Sequence, residues 1–286
     1  MAVPVKRRPA PDTDTENVEG LELDLLLEAA FRLYGYDFRD YARTSMRRRI
    51  ANIMKQEEVA TISALQDKVL HDRGCWERFL SGVSVNVSAM FRDPGFFLAF
   101  RRHAVPLLRT YPFIRIWQAG CSLGEEAFSL AILLEEEGLY DRALIYATDI
   151  NEVTLRQARD GIYPAELMQK YTQNYVHAGG QRSFSEYYTA RYDFAILRPA
   201  LQRNIVFSQH NLVSDAPFNE FNVILCRNVM IYFNRTLQER THQLFYDSLG
   251  MFGILGLGSR ETLRFMPQEQ LYEPLVPSEK LYRRIA

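Results

Sequence analysis

Arg115-Ile-Trp-Gln-Ala-Gly-Cys-Ser-Leu-Gly-Glu-Glu126 is the stretch from which the fold can be read. The strand-like run from Ile114 to Ala119 enters a turn holding Gly120 and Gly124, and a helical pattern follows at once. Strand, glycine turn and helix in succession form the corner of an α/β sheet where nucleotide-like ligands meet the carboxyl end of a strand. The composition of the turn narrows the ligand. A diphosphate wants three close glycines and a helix start free of negative charge. Here two glycines stand four apart, and Glu125 and Glu126 open the helix. Two carboxylates would repel a diphosphate and suit a nucleoside-like ligand carrying positive charge. S-adenosylmethionine, with its sulfonium and ammonium groups, fits that description.

Working outward, the strand–helix rhythm continues downstream. Glu125–Glu137 reads as a helix closed by Gly138, Ala143–Ala147 as a strand ending at Asp149, and Asn151 as the cap of a helix over Glu152–Arg159. Ile205–Phe207, Asn222–Cys226 and Met251–Leu257 read as strands, with a helix from about Thr236 to Leu249. Such alternation predicts a mostly parallel sheet covered on both faces. Tyrosines, glycines and short mixed segments over 165–203 interrupt the rhythm and read as an insertion, a small antiparallel sheet. Upstream the pattern is different. Leu21–Tyr34, Phe38–Met54, Ile62–Leu70 and Trp76–Val83 have helical spacing, and no strand signal precedes about residue 113. The expected organisation is a disordered tail over 1–17, an all-α domain over 18–83, a linker and helix over 84–112, and an α/β domain over 113–286.

Composition sets the outer bounds. With 286 residues, 47% hydrophobic and 24% charged, the chain has ample core for a small domain and a medium one. A formal charge of −1 speaks against a general affinity for nucleic acid or anionic membrane, so electrostatic targeting must come from local patches. Cys75, Cys121 and Cys226 are odd in number and widely spaced, which suits reduced thiols rather than a disulfide framework or a metal site. The histidines show no metal-ligand spacing. No apolar run approaches the roughly 20 residues of a membrane span, and no signal-peptide core is present. A cytoplasmic protein with no metal and no membrane insertion is expected.

Three further sites point to chemistry. Asp149 lies 25 positions after Gly124, near the spacing at which an acid following the second strand binds ribose hydroxyls. A helix-capping role is the alternative, and the upstream turn favours ribose. Asn211-Leu212 and Cys226-Arg-Asn-Val-Met-Ile-Tyr-Phe233 follow two more strands, at the sheet edge where ligands collect. Asn211 offers donor and acceptor to an adenine edge, or serves a turn. Asn228 and Tyr232, four apart, would share a helical face.

Taken together with Val85-Asn-Val-Ser-Ala-Met-Phe-Arg-Asp93 and Ala147-Thr-Asp-Ile150, these motifs make the chain resemble the chemotaxis receptor glutamate methyltransferases, the CheR family. The resemblance spans nearly the whole chain. It implies a class I methyltransferase fold, Rossmann-like, with a mostly parallel seven-stranded sheet, an all-α N-terminal domain and a small antiparallel β insertion at about 165–208. It implies S-adenosylmethionine as methyl donor, S-adenosylhomocysteine as product, and glutamate carboxylates of chemoreceptors as acceptors. Asn86, Ser88, Arg92, Ala119, Gly120, Glu126, Asp149, Asn211, Leu212, Arg227 and Asn228 would bind the cofactor, and Arg92 and Tyr232 would face the acceptor carboxylate. Such a monomeric enzyme would dock on the cytoplasmic helical bundle of a receptor. In some members the insertion grips a short peptide at the receptor C-terminus. Arg39, Arg43 and Arg47, spaced by four, would form one basic stripe for docking if that segment is helical throughout.

The chemistry is consistent. An acceptor carboxylate, with an ordinary pKa of about 4.3, is already ionised near neutral pH, so methyl transfer needs no strong general base. Two departures from the family pattern stand out. Ser84-Val85 and Ser88 replace threonines, and Gly258-Ser-Arg-Glu261 replaces a Gly-His-Ser-Glu pattern. They keep a rival open, a non-catalytic adaptor that binds the cofactor within a sensory complex.

Overall fold

A computed structural model of the chain describes residues 13–84 and 88–286. The tail expected over 1–17 lies outside the described residues as far as residue 12, and from Thr13 the chain is helical. The chain divides into two compact units, one ending at Val83 and the other running from Ser84 to Ala286.

The first unit is all-α: α1 (Thr13–Tyr34), α2 (Arg43–Gln56), α3 (Ile62–His71) and α4 (Arg73–Val83). Leu23, Leu26, Leu27 and Ala30 of α1 are buried with Leu65 and Val69 of α3, and Trp76, Phe79 and Leu80 of α4 join the same core. Tyr34 stacks on Trp76 at 3.8 Å and donates to the Val69 carbonyl at 2.8 Å. Thr61 caps α3 by accepting from Ala64 N at 3.1 Å. The expected helix over Phe38–Met54 starts late, at Arg43. Asp37 turns its carboxylate onto Arg39 N at 3.1 Å, and this local bond competes with helix formation. Arg39 therefore lies ahead of α2, and the three-arginine stripe does not exist as one helix face. Only Arg43 and Arg47 share it.

The second unit opens with α5 (Pro94–Ala99), a π turn (Phe100–Ala104) and α6 (Val105–Leu108), then alternates. Its elements are β1 (Ile114–Ala119), α7 (Glu125–Glu136), β2 (Ala143–Asp149), α8 (Glu152–Asp160), β3 (Ile162–Pro164), α9 (Met168–His177), β4 (Tyr188–Arg191), β5 (Phe194–Leu197), β6 (Ile205–Gln209), β7 (Phe221–Cys226), α10 (Arg235–Ser248), β8 (Leu249–Leu257), β9 (Tyr272–Val276) and β10 (Leu281–Arg284). The seven-stranded sheet has the order β6-β2-β1-β7-β8-β10-β9. Strands β6, β2, β1, β7 and β8 run parallel, and β10 is antiparallel to both neighbours. The order reverses beside β1, so the turn after β1 sits at the topological switch point. Buried Ile114, Ile116, Ile145, Val223, Leu225 and Ile254 line the sheet, and ten of the twelve residues of α7 are buried.

A second, antiparallel sheet has the order β3-β5-β4. The span 165–208 thus contains α9, β4 and β5, whereas β3 precedes it and Ile205–Gln209 is the outer strand of the main sheet. Among the described residues no helix is long and apolar enough to cross a membrane.

Candidate functional site

The turn after β1 is held open by backbone geometry. Gly120 and Gly124 have φ of +77° and +87°, and the non-glycine Ser122 joins them at +51°. Gly120 and Cys121 donate their N–H groups to the Thr148 carbonyl, each at 2.8 Å, which ties the turn to the end of β2. A Cβ on Gly120 would overlap Val229 Cγ2, so this position has neither the dihedral nor the space for a side chain. Asp149 Oδ2 accepts from Ser122 N at 2.9 Å and Oδ1 from Asn151 N at 2.9 Å. Asn151, not Asp149, caps α8 by accepting from Val153 N at 2.9 Å. Burial pushes the Asp149 carboxyl up, against those N–H donors.

Glu125 and Glu126 are both buried at the start of α7. Glu126 Oε2 accepts from Arg227 Nη1 at 2.6 Å, while Oε1 is buried with no hydrogen-bond partner among the described residues. Arg227 is 1% exposed at its side chain, donates from Nη2 to Asp93 Oδ2 at 3.0 Å and to the Arg92 carbonyl at 3.1 Å, and lies 4.1 Å from the Phe96 ring. Arg227 thus turns both terminal nitrogens to the protein, while its buried Nε has no hydrogen-bond partner among the described residues. Burial raises the Glu126 carboxyl despite Arg227 and the more distant Arg92 charge. Glu125 accepts from Tyr171 of α9 at 3.3 Å, and its Oε2 is buried with no hydrogen-bond partner among the described residues; burial raises this carboxyl, with Ser88 and Tyr171 acting in the opposite direction. From the sequence Glu125 counts toward the charge of the turn, with no binding role of its own. Nothing in the local pattern distinguishes a helix-start glutamate that turns inward from one that faces water.

The loop after β7 supplies the opposite wall. Asn228 adopts φ +63°, and Met230–Tyr232 forms a single 3-10 turn, so Asn228 and Tyr232 do not share an α-helical face. Glu261 holds this loop, accepting from Asn228 N at 3.0 Å and from Val229 N and Met230 N at 2.8 Å each. Asn211 and half-buried Leu212 follow β6. Asn211 Oδ1 accepts from Val213 N at 2.9 Å, so its acceptor serves a turn and its amide donor is what it offers a ligand. Four non-glycine residues with left-handed backbone, Phe91, Asp93, Ser122 and Asn228, belong to these segments. Each is pinned by a side chain: Phe91 N by Ser129 Oγ at 2.9 Å, Asp93 by Arg227, Ser122 by Asp149 and Asn228 by Glu261. Such clustering is typical of a ligand clamp.

Ala119, Gly120, Glu126, Asp149, Asn228 and Arg92 are thus linked through chain neighbours, direct contacts or shared partners, and Ser88 acts on the neighbouring Glu125 carboxyl. Asn86 lies outside the described residues. Arg39, Arg43 and Arg47 belong to the other unit. Arg39 pairs with Glu28 at 2.9 Å and Asp37 at 2.8 Å, and Arg43 pairs with Asp24.

Residues 86–277 match the family model of the CheR methyltransferase SAM-binding domain, and residues 21–84 match that of the CheR methyltransferase all-alpha domain. A Pseudomonas putida protein, provisionally named methyltransferase Cher3, is 48% identical over 94% of this chain and 99% of its own length. The chemotaxis protein methyltransferase of Listeria monocytogenes is 29% identical over 80% of this chain and 85% of its own length. That of Salmonella typhimurium is 31% identical over 68% and 66%.

Proposed function

The chain belongs to the CheR methyltransferase family, and on that premise we propose that it transfers a methyl group from S-adenosylmethionine to glutamate carboxylates of a chemoreceptor. The fold is that of the class I methyltransferases, with the all-α domain ahead of it. One observation carries the reading: a glycine turn at the switch point with a buried carboxylate oxygen beside it, Glu126 Oε1, that has no partner among the described residues. An unpaired buried acceptor is costly unless a ligand supplies a donor, and a cation is the ligand that recovers most.

The residues suit the cofactor. Glu126 would receive its ammonium group, Asp149 at the end of β2 its ribose hydroxyls, and the Asn211 amide and Asn228 its base and linker. When bound, S-adenosylmethionine supplies a methyl group activated by the sulfonium. The rest is done by the chain. Arg92 would orient the acceptor carboxylate and neutralise the charge taken out of water, and Tyr232 would donate a hydrogen bond to it. The exposed Arg47 and Arg48 of α2 would meet an acidic helical surface of the receptor. No cysteine or serine nucleophile is required.

The test is incubation with methyl-labelled S-adenosylmethionine and receptor-containing membranes from the same source, followed by mild alkali. Label released as volatile methanol is expected and identifies a carboxyl methyl ester. Alkali-stable label would mean a nitrogen or carbon acceptor. Absence of label, with cofactor binding shown in the same sample, would favour the adaptor.

A further inference from the structure

Glu261 stands in the segment Gly258-Ser-Arg-Glu261, just past the end of β8. Its side chain turns inward, and the residue is 5% exposed. Oε1 accepts from Val229 N and Met230 N at 2.8 Å each, and Oε2 from Asn228 N at 3.0 Å and Gly258 N at 2.6 Å. One carboxylate therefore gathers four backbone donors from two neighbouring strand ends. Three of these donors are consecutive, and the first belongs to a left-handed residue. Successive N–H groups in that conformation form an anion-binding concavity. Here the anion is built in. Gly258 makes room for it, because a Cβ there would lie 2.7 Å from Glu261 Oε2 and 2.8 Å from Asn228 N. Ser259 and Arg260 between them are exposed.

The held loop touches the ligand turn. Val229, whose N–H Glu261 fixes, leans against Gly120 so closely that no side chain fits there. On one side of Val229 stands Asn228, and three residues on stands Tyr232. We propose that Glu261 is a positioning residue that sets the cofactor and acceptor walls together, by clamping the Asn228–Tyr232 loop and pressing Val229 onto the turn after β1. The proposal rests on the methyltransferase reading, since it assigns Asn228 to the donor and Tyr232 to the acceptor.

The isosteric change Glu261→Gln removes the charge and turns an amide NH2 toward backbone donors. Because both walls move, KM for S-adenosylmethionine and Kd for S-adenosylhomocysteine should each rise about tenfold, and kcat should fall about tenfold, the size expected for lost hydrogen bonds to a charged group. Asn228→Ala should move mainly KM and Tyr232→Phe mainly kcat. Glu261→Asp, keeping the charge on a shorter stem, should recover part of both. A merely structural glutamate would lower the active fraction, so kcat would fall with KM and Kd unchanged, and that result overturns the proposal. So does a folded Glu261→Gln protein within twofold of wild type in all three constants. If the glutamine variant does not fold, Val229→Ala decides: it leaves the Glu261 hydrogen bonds in place and should raise KM and Kd at least threefold, and no change refutes the clamp. Affinity for S-adenosylhomocysteine requires no acceptor. Weakened binding in the variant therefore supports the clamp even if the wild type methylates nothing, an outcome that sinks the glutamate methyltransferase reading alone. A wild type that does not bind it overturns both.

Discussion

Glu126 holds Arg227 with one oxygen and, on the proposed reading, offers the other to the cofactor, and its titration should show both. Burial raises its carboxyl above the ordinary range. The ionised form attracts a cationic cofactor and the protonated form does not, so affinity is full above the raised pKa and falls as pH drops through it. Glu125 and Asp149, also raised by burial, make the limb composite. Glu126→Gln should weaken S-adenosylmethionine binding about tenfold near neutral pH and flatten the acid limb, as titration calorimetry across pH would report. Arg92→Ala should behave differently: turnover lost by about a hundredfold or more, with S-adenosylhomocysteine affinity within a few-fold. Retained turnover would remove Arg92 from the acceptor side. His242 gives a stability prediction of known sign. It is 2% exposed and neutral, held down to about 4 from 6.5 by burial. Below 6.5 the unfolded chain takes up a proton that the folded chain refuses until about 4. Stability is therefore lost as pH falls across that window, by about 3 kcal/mol in all. The raised carboxylates act with the opposite sign, because the folded chain binds their protons more readily. The difference between wild type and His242→Phe in denaturant midpoints from pH 7 to 4 isolates the histidine. A constant difference would contradict the assignment.

At the level of elements, the ligand turn is stable because neighbours over-determine it. Gly120→Ala requires a left-handed alanine, costing about 1–2 kcal/mol, and drives a Cβ into Val229. A loss of about 2–4 kcal/mol in urea unfolding is expected, with cofactor affinity falling in parallel, whereas Gly138→Ala, with nothing near its Cβ, should cost only the dihedral strain. The sequence is clearest where one element has one dominant reason. β1 runs over Ile114–Ala119, where the β-prone run lies, and α7 starts at Glu125 directly after the glycine turn. It is least clear where a side chain or a neighbour decides. Asp37 delays α2 to Arg43 through a local bond that periodicity does not register. β9 contains Pro274, which breaks the strand pattern yet is tolerated because β9 is the outermost strand of the sheet. β10 reads Leu281-Tyr-Arg-Arg284, too short and charged to signal a strand, and forms because β8 and β9 pair with it on both sides. In the site, motif spacing singles out Gly120, Glu126, Asp149 and Asn228, which lie on the turn after β1 and the segments around it. It could not foresee that both terminal nitrogens of Arg227 turn to Glu126, Asp93 and the Arg92 carbonyl, or that Glu261 reaches back across 33 positions to Asn228, since such contacts depend on how the chain segments meet in space.

Over the whole molecule the formal charge is −1, so the proposed attraction to a receptor would have to come from a local surface. The all-α unit offers one on α2, where Arg43, Arg47 and Arg48 are exposed. Their worth differs. Arg43 is already paired with Asp24, and reversing it would strand that aspartate as well as alter the surface. Arg47 and Arg48 are the cleaner probe. If they steer the enzyme to an acidic helical surface, Arg47→Glu with Arg48→Glu should lower the methylation rate of receptor-containing membranes about tenfold at low ionic strength, chiefly through kcat/KM. Charge steering reaches about 10 Å at 0.1 M salt and about 3 Å at 1 M. The wild-type rate should therefore fall as salt is raised, until the two proteins become similar. S-adenosylhomocysteine affinity should not change, because neither arginine is among the residues assigned to the cofactor. Equal rates at low salt would show that α2 carries only a solvated basic face. The receptor would then have to be recognised by the α/β unit alone.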